Sequence, residues 1–163
     1  MNFWGGDLND HQVSKKPIFI LAPMDGVTDT VFRQIVCSVG KPNVLFTEFV
    51  PVDAILSQAR DKVLERSLRY TETERPIVAQ IWGTDPEKFY QTAKIISKLG
   101  FDGIDINMGC PGKGRACSAL IRTPKLAQEI ILATIKGAGN LPVSVKTRIG
   151  FSKIDTENWV KVL

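Results

Sequence analysis

Short, almost unbroken apolar runs recur along this chain at intervals of about 30 residues, and amphipathic segments fill the gaps between them. The runs are Ile18 to Met24, Val44 to Val50, Ile77 to Trp82, Gly103 to Asn107 and Val143 to Ile149. Each is too short for a buried helix and too continuously apolar for a strand with one wet face, so they read as parallel strands covered on both sides. The segments between them carry helix start signals: Thr28 or Asp29 before Val31 and Phe32, Asp85-Pro86 before Phe89 and Ala93, and Thr123-Pro124 before Leu126 and Ile130. Gly40, Gly100 and Gly137 fall where C-terminal caps are expected. Asp53 to Tyr70 reads as one or two further helices, and Asp155 to Leu163 as the start of another. Five βα units in a row predict a parallel sheet, either open and doubly wound or part of a (β/α)8 barrel. At 163 residues the length suits the open sheet, since a complete barrel takes roughly 250.

Composition closes off other classes. With 44% hydrophobic and 23% charged residues the chain is an ordinary globular protein, neither disordered nor fibrous. Its longest uncharged apolar stretch, Pro17 to Met24, is far short of the roughly 20 residues that span a bilayer. The polar leader, residues 1–16, lacks the layout of a secretory signal, which leaves residues 17–163 as one domain and a cytoplasmic location as the expectation. Cys37, Cys110 and Cys117, with His11 the only histidine, support neither a disulfide framework nor a metal site. A net charge of +4 suits an anionic partner without singling one out.

In either architecture the chemistry gathers at the C-terminal ends of the strands. The first strand ends in Ala22-Pro23-Met24-Asp25-Gly26, the third in Gln80-Ile81-Trp82-Gly83, the fourth in Asp105-Ile106-Asn107-Met108-Gly109-Cys110-Pro111 and the fifth in Lys146-Thr147-Arg148-Ile149-Gly150. Gln80, inside an apolar strand, needs hydrogen-bond partners, structural or ligand. Lys146, between Val145 and Thr147, reads as a buried ammonium that survives only beside an anion or a ligand. Cys110 opens a loop, where a purely structural cysteine is unexpected, whereas Cys37 reads as core filler and Cys117 as mainly structural. Pro111-Gly112-Lys113-Gly114 and Gly137-Ala138-Gly139 do not meet the requirements of nucleotide-binding loops.

Taken in order, Ala22-Pro23-Met24-Asp25-Gly26-Val27-Thr28-Asp29, Thr47-Glu48, Gln80-Ile81-Trp82-Gly83, Asp105 to Pro111, Ser118-Ala119-Leu120-Ile121 and Val145 to Gly150 closely resemble the tRNA-dihydrouridine synthases. The resemblance covers residues 17 to 151. It implies an α/β fold, a TIM barrel cut after about five βα units, that binds FMN, takes electrons from NADPH and reduces uridine in tRNA to 5,6-dihydrouridine. By the same resemblance Pro23, Met24 and Asp25 line the flavin, Gln80 and Lys146 contact it, Asn107 and Arg148 meet the substrate, and Cys110 is the proton donor. The thiol chemistry agrees: with a reference pKa of about 8.5 a cysteine is mostly protonated at neutral pH and is ready to act as an acid. A uracil in folded tRNA would leave its stack to reach the site.

The chain departs from the family pattern in two places. The loop from Gly112 to Cys117 is shorter by about three residues, and a displacement of about 1 Å at Cys110 would cost on the order of a hundredfold in rate. The sequence also stops at Leu163, before the later strands, their phosphate-binding loops and the helical tRNA-binding domain. The expectation is a chain that holds FMN weakly and does not turn over alone, and that self-associates or takes a complementing C-terminal half. Two other readings stay open. One is a different FMN barrel resembling dihydroorotate dehydrogenase, which accounts less well for Asn107 to Pro111. The other is a catalytically dead domain kept for RNA or protein contact.

Overall fold

The computed structural model describes residues 17–111 and 117–151, together with Ile154 and Glu157. Five strands alternate with helices: β1 (Ile20–Leu21), α1 (Thr30–Gly40), β2 (Val44–Pro51), α2 (Val52–Ile55), α3 (Arg60–Ser67), β3 (Ile77–Trp82), α4 (Pro86–Ile96), β4 (Gly103–Met108), α5 (Pro124–Ala138) and β5 (Val143–Thr147). Short 3-10 turns at Glu72–Glu74 and Cys117–Arg122 complete the path. All four pairings are parallel, and the spatial order is β1-β2-β3-β4-β5. A doubly wound sheet reverses its strand order at a switch point, and this one never does. The sheet is a half-barrel of five βα units, so topology overrules the argument from length.

Strand parity divides the sheet into two unlike faces, because successive side chains point to opposite sides. Leu45, Ile77, Ala79, Ile81, Ile104, Ile106 and Met108 turn outward and form one core with Phe89, Ala93 and Ile96 of α4 and Ala127 and Ile130 of α5. The inner face begins apolar, with Val44, Phe46 and Val78 packed together at its base. Toward the C-terminal ends of the strands it turns polar. Gln80 pairs in register with Asp105, Asp105 with Ser144, and Asn107 with Lys146.

Several local expectations change. The first strand is confined to Ile20–Leu21, and the fifth stops at Thr147. The helix α1 is capped by Asp29, whose carboxylate accepts from the Phe32 amide, and α4 by Asp85, which accepts from Glu87 and Lys88. Gly137 is not a cap. It lies inside α5, which ends at Gly139 with φ +65°, and a Cβ at position 137 would sit 2.4 Å from the Tyr90 carbonyl oxygen of α4. Gly40 closes α1 as its last residue, and Gly100 takes a left-handed conformation, φ +81°, in the turn after α4. The polar leader, His11, residues 112–116 of the shortened loop and most of the segment from Asp155 to Leu163 lie outside the described residues.

Among the described residues no helix is long and apolar enough to cross a membrane, and no group of three His, Cys, Asp or Glu side chains is placed to hold a metal ion.

Candidate active site

Four polar side chains on the inner face join β5, β4 and β3. Ser144 Oγ donates to Asp105 Oδ1 at 2.6 Å, and Gln80 Nε2 donates to Asp105 Oδ2 at 2.6 Å. Asn107 Nδ2 in turn donates to Gln80 Oε1 at 3.2 Å. The free end of the chain, Asn107 Oδ1, accepts from the backbone amides of Gly109 at 2.9 Å and Cys110 at 3.1 Å. Gln80 and Asp105 are buried, and burial pushes the Asp105 carboxyl above its ordinary range; the Ser144 and Gln80 hydrogen bonds and the charge of Lys146 pull it back only in part. Gln80 therefore has the partners its position demanded, and both are protein groups.

Cys110 ends this chain at the mouth of the sheet. It is half-buried, its N–H is held by Asn107, and its carbonyl accepts from the Ser118 amide at 3.2 Å. That last bond brings the 3-10 turn at Cys117–Arg122 against the cysteine. Cys117 is buried there, and desolvation together with the neighbouring Cys110 pushes its thiol up to about 11. Cys37 is partly buried and packs against the outer core, as a filler residue does.

Lys146 is not the buried ammonium that its sequence neighbours suggested. It stands on the inner face opposite Asn107 but is exposed, because β5 is the last strand of the described sheet and nothing described covers its open side. Arg148, farther along the chain, is also exposed and donates from Nε to the Gly109 carbonyl at 2.6 Å, so it braces the cysteine turn from the β5 side. Gly109 sits between them, where a Cβ would lie 3.7 Å from the Lys146 carbonyl and 3.9 Å from the Arg148 side chain.

The mouth is completed by the segment after β1. Pro23 is half-buried, while Met24 and Asp25 are exposed. A tight turn follows: the Val27 and Thr28 amides donate to the Met24 carbonyl, and the Met24 amide donates to Thr28 Oγ1 at 2.9 Å. Glu48 holds this turn from β2, accepting from the Gly26 amide at 2.6 Å. Its placement depends on a bulge. Between Phe46 and Phe49 the register of β2 against β3 slips, so Thr47 and Glu48 together face one residue of β3, and Thr47 Oγ1 accepts from the Gln80 amide at 3.1 Å.

Glu48 and Asp105 received no role from the sequence, although a signal for both was present. Each is a carboxylate set inside an apolar strand, the reasoning that singled out Lys146. Beneath the mouth, Arg33 and Glu74 form a fully buried ion pair, Nε to Oε2 at 2.6 Å, and the guanidinium also donates to the Thr28 and Arg69 carbonyls. This pair ties α1 and the Met24 turn to the segment before β3.

Of the sequence-predicted residues, Gln80, Asn107, Cys110, Lys146 and Arg148 are brought together by β3, β4 and β5, and Pro23, Met24 and Asp25 stand at the first strand of the same rim. A cation, amide donors, a polarizable thioether and one sulfhydryl make a surface suited to a flat ring bearing carbonyl oxygens.

Residues 20–163 match the family model described as dihydrouridine synthase. The chain is 47% identical over 154 residues to a Staphylococcus aureus (strain COL) protein named "Probable tRNA-dihydrouridine synthase", covering 90% of this chain and 45% of that one. It is 46% identical over 160 residues to "Probable tRNA-dihydrouridine synthase 2" of Bacillus subtilis (strain 168), covering 94% and 46%. A Staphylococcus epidermidis (strain ATCC 35984) relative is 42% identical over 168 residues, covering 98% and 48%. The chain thus spans a little under half the length of the curated relatives it matches. A half-barrel with Asn107 and Cys110 at the end of its fourth strand, matched from the first strand onward, belongs to the dihydrouridine synthase family.

Proposed function

We propose that this chain supplies the N-terminal part, residues 17–163, of an FMN-binding barrel that reduces uridine in tRNA to 5,6-dihydrouridine with NADPH as reductant. The observation that carries the reading is the Cys110 turn: a half-exposed thiol at the mouth, its amide fixed by Asn107 and its flank braced by Arg148. The residues present fit the ring of FMN. Lys146 offers a cation beside a ring that becomes anionic on reduction, Pro23, Met24 and Asp25 supply the rim, and Gln80, fully buried, backs the site by holding Asn107. When bound, FMN supplies the hydride that adds to C6 of the uracil.

What the protein must then supply is a proton. Addition at C6 leaves an electron pair at C5, delocalised onto the adjacent carbonyl. The Cys110 S–H bond breaks, its proton forms the C5–H bond, and the thiolate regains a proton from water before the next cycle. Asn107 and Arg148 stand beside the Cys110 turn and serve to orient the base. The exposed cations Lys62 and Arg66, lining the cleft with Asp25, Glu48 and Pro51, suit the phosphates of a bulky polynucleotide. The remaining strands come from further residues or from a second chain.

The test is complementation. In cells lacking their own activity, the chain joined to a complementing barrel half should restore dihydrouridine in tRNA, read by mass spectrometry of digested tRNA. Cys110→Ala should lower the rate of uridine reduction by at least about a hundredfold, the scale of a lost general acid, while FMN absorbance is retained. Undiminished reduction in that variant overturns the role of the thiol.

A further inference from the structure

The turn that carries Cys110 is held at one remove by a residue that touches neither the cysteine nor the open mouth. We infer that Asp105 is a positioning residue for Cys110, acting through Gln80 and Asn107. Primary amides are ambiguous connectors, since each has a donating and an accepting end and fits a hydrogen-bonded chain in either direction. Two amides in series transmit a defined orientation only where something fixes the direction at one end.

The Asp105 carboxylate is that fixture once it has lost its proton, because it then accepts and does not donate. Asp105 draws Gln80 Nε2 toward itself at 2.6 Å, which turns Gln80 Oε1 toward Asn107. Gln80 Oε1 draws Asn107 Nδ2 at 3.2 Å, and this turns Asn107 Oδ1 toward the amides of Gly109 and Cys110. Reverse Asn107 and its Nδ2 faces the Gly109 and Cys110 amides, donor against donor; reverse Gln80 and its Nε2 faces Asn107 Nδ2 in the same way, while its Oε1 faces the Asp105 carboxylate. The second carboxylate oxygen accepts from Ser144 on β5, so Asp105 itself is held from the far side. Lys146 is the charged group facing Asp105. The link crosses three strands in register, which makes its geometry a property of the sheet rather than of the loop.

The positioning stands on this geometry alone; its weight for catalysis rests on the reading of Cys110 as proton donor. The test therefore reads the turn directly, by hydrogen–deuterium exchange at single-amide resolution in the full 163-residue chain. Asp105→Asn replaces the one end that only accepts by an amide that fits either way, and so removes the fixed direction. The Gly109 and Cys110 amides should then exchange at least fivefold faster, while the Ile104 amide, bonded to the Pro142 carbonyl, keeps its native rate. Adding Gln80→Glu to Asp105→Asn restores a directed chain with the charge moved by one residue, and both amides should return to within twofold of native. A general loss of stability does not produce that recovery. Should Asp105→Asn alone not fold, Gln80→Met removes both ends of the link without adding charge and should free the same two amides.

Native exchange in either single variant, or no recovery in the doubly substituted chain, overturns the assignment. An intact relay with no effect of Cys110→Ala on uridine reduction would instead count against the proposed function. The two failures are distinguishable.

Discussion

A carboxylate held in a dry strand above its ordinary pKa is a cost to the fold, and Asp105 bears that cost continuously. Between the usual carboxylate pKa and the raised folded-state value, the folded chain still binds a proton that the unfolded chain has released. Stability attributable to Asp105 therefore falls as pH rises through that window and stays lost above it. Urea midpoints measured upward from the ordinary carboxylate pKa should show this downward slope in the native chain and lose it in Asp105→Asn; equal slopes in both chains would contradict the assignment. Cys117 makes a second residue-level prediction. With its thiol pushed up to about 11 against an ordinary value of about 8.5, its thiolate fraction at neutral pH is lower by a few hundredfold. After brief alkylation and digestion, the peptide carrying Cys117 should remain almost unmodified, and rapid labelling would show that the thiol is not buried. Asn107, Cys110 and Lys146 were legible in the sequence because each is a reactive or polar group at a strand end. The burial of Lys146 was not, since whether a strand-end cation is covered depends on what stands beside its strand, which local sequence does not encode.

At the scale of elements, the helices obeyed their start signals: Asp29 and Asp85 cap as their spacing predicts, and α4 and α5 bury Phe89, Ala93, Ile96, Ala127 and Ile130 as their periodicity requires. Gly137 shows what periodicity misses. A glycine near the end of a helical pattern reads as a stop signal, yet its purpose here is closeness, because the missing Cβ lets α5 approach the Tyr90 carbonyl of α4. Gly137→Ala should destabilise the chain by about 2 kcal/mol through overpacking, visible as a lower urea midpoint with an unchanged slope, and an unchanged midpoint would show that the two helices separate at little cost. The bulge in β2 was equally invisible. Thr47-Glu48 reads as two ordinary strand residues, and only the slipped register sends Thr47 to the Gln80 amide and Glu48 to Gly26.

For the whole molecule, the order of strands decides what length alone left ambiguous, and the flanks follow from it. The exposed side of α1 carries Val31, Ile35 and Val39, spaced by one helical turn each and 61%, 58% and 85% exposed. At the other end, Leu132 and Ile135 of α5 are 65% and 48% exposed. In a closed barrel both helices have neighbours on these sides. Among the described residues β1 and β5 also each have one unpaired edge. The isolated chain should therefore associate with itself, and sedimentation velocity across a dilution series should show species larger than a monomer that a complementing half dissolves. A monomer at every concentration would contradict this.

The link from Ser144 to Cys110 lies wholly within β3, β4 and β5 and the turn that follows β4. The orientation of the Cys110 turn is thus a local achievement that calls on no other strand. On the proposed function, whatever closes the ring has less left to do: it would clasp the flavin's phosphate and present the nucleic acid, while the sulfur stays where β3, β4 and β5 set it.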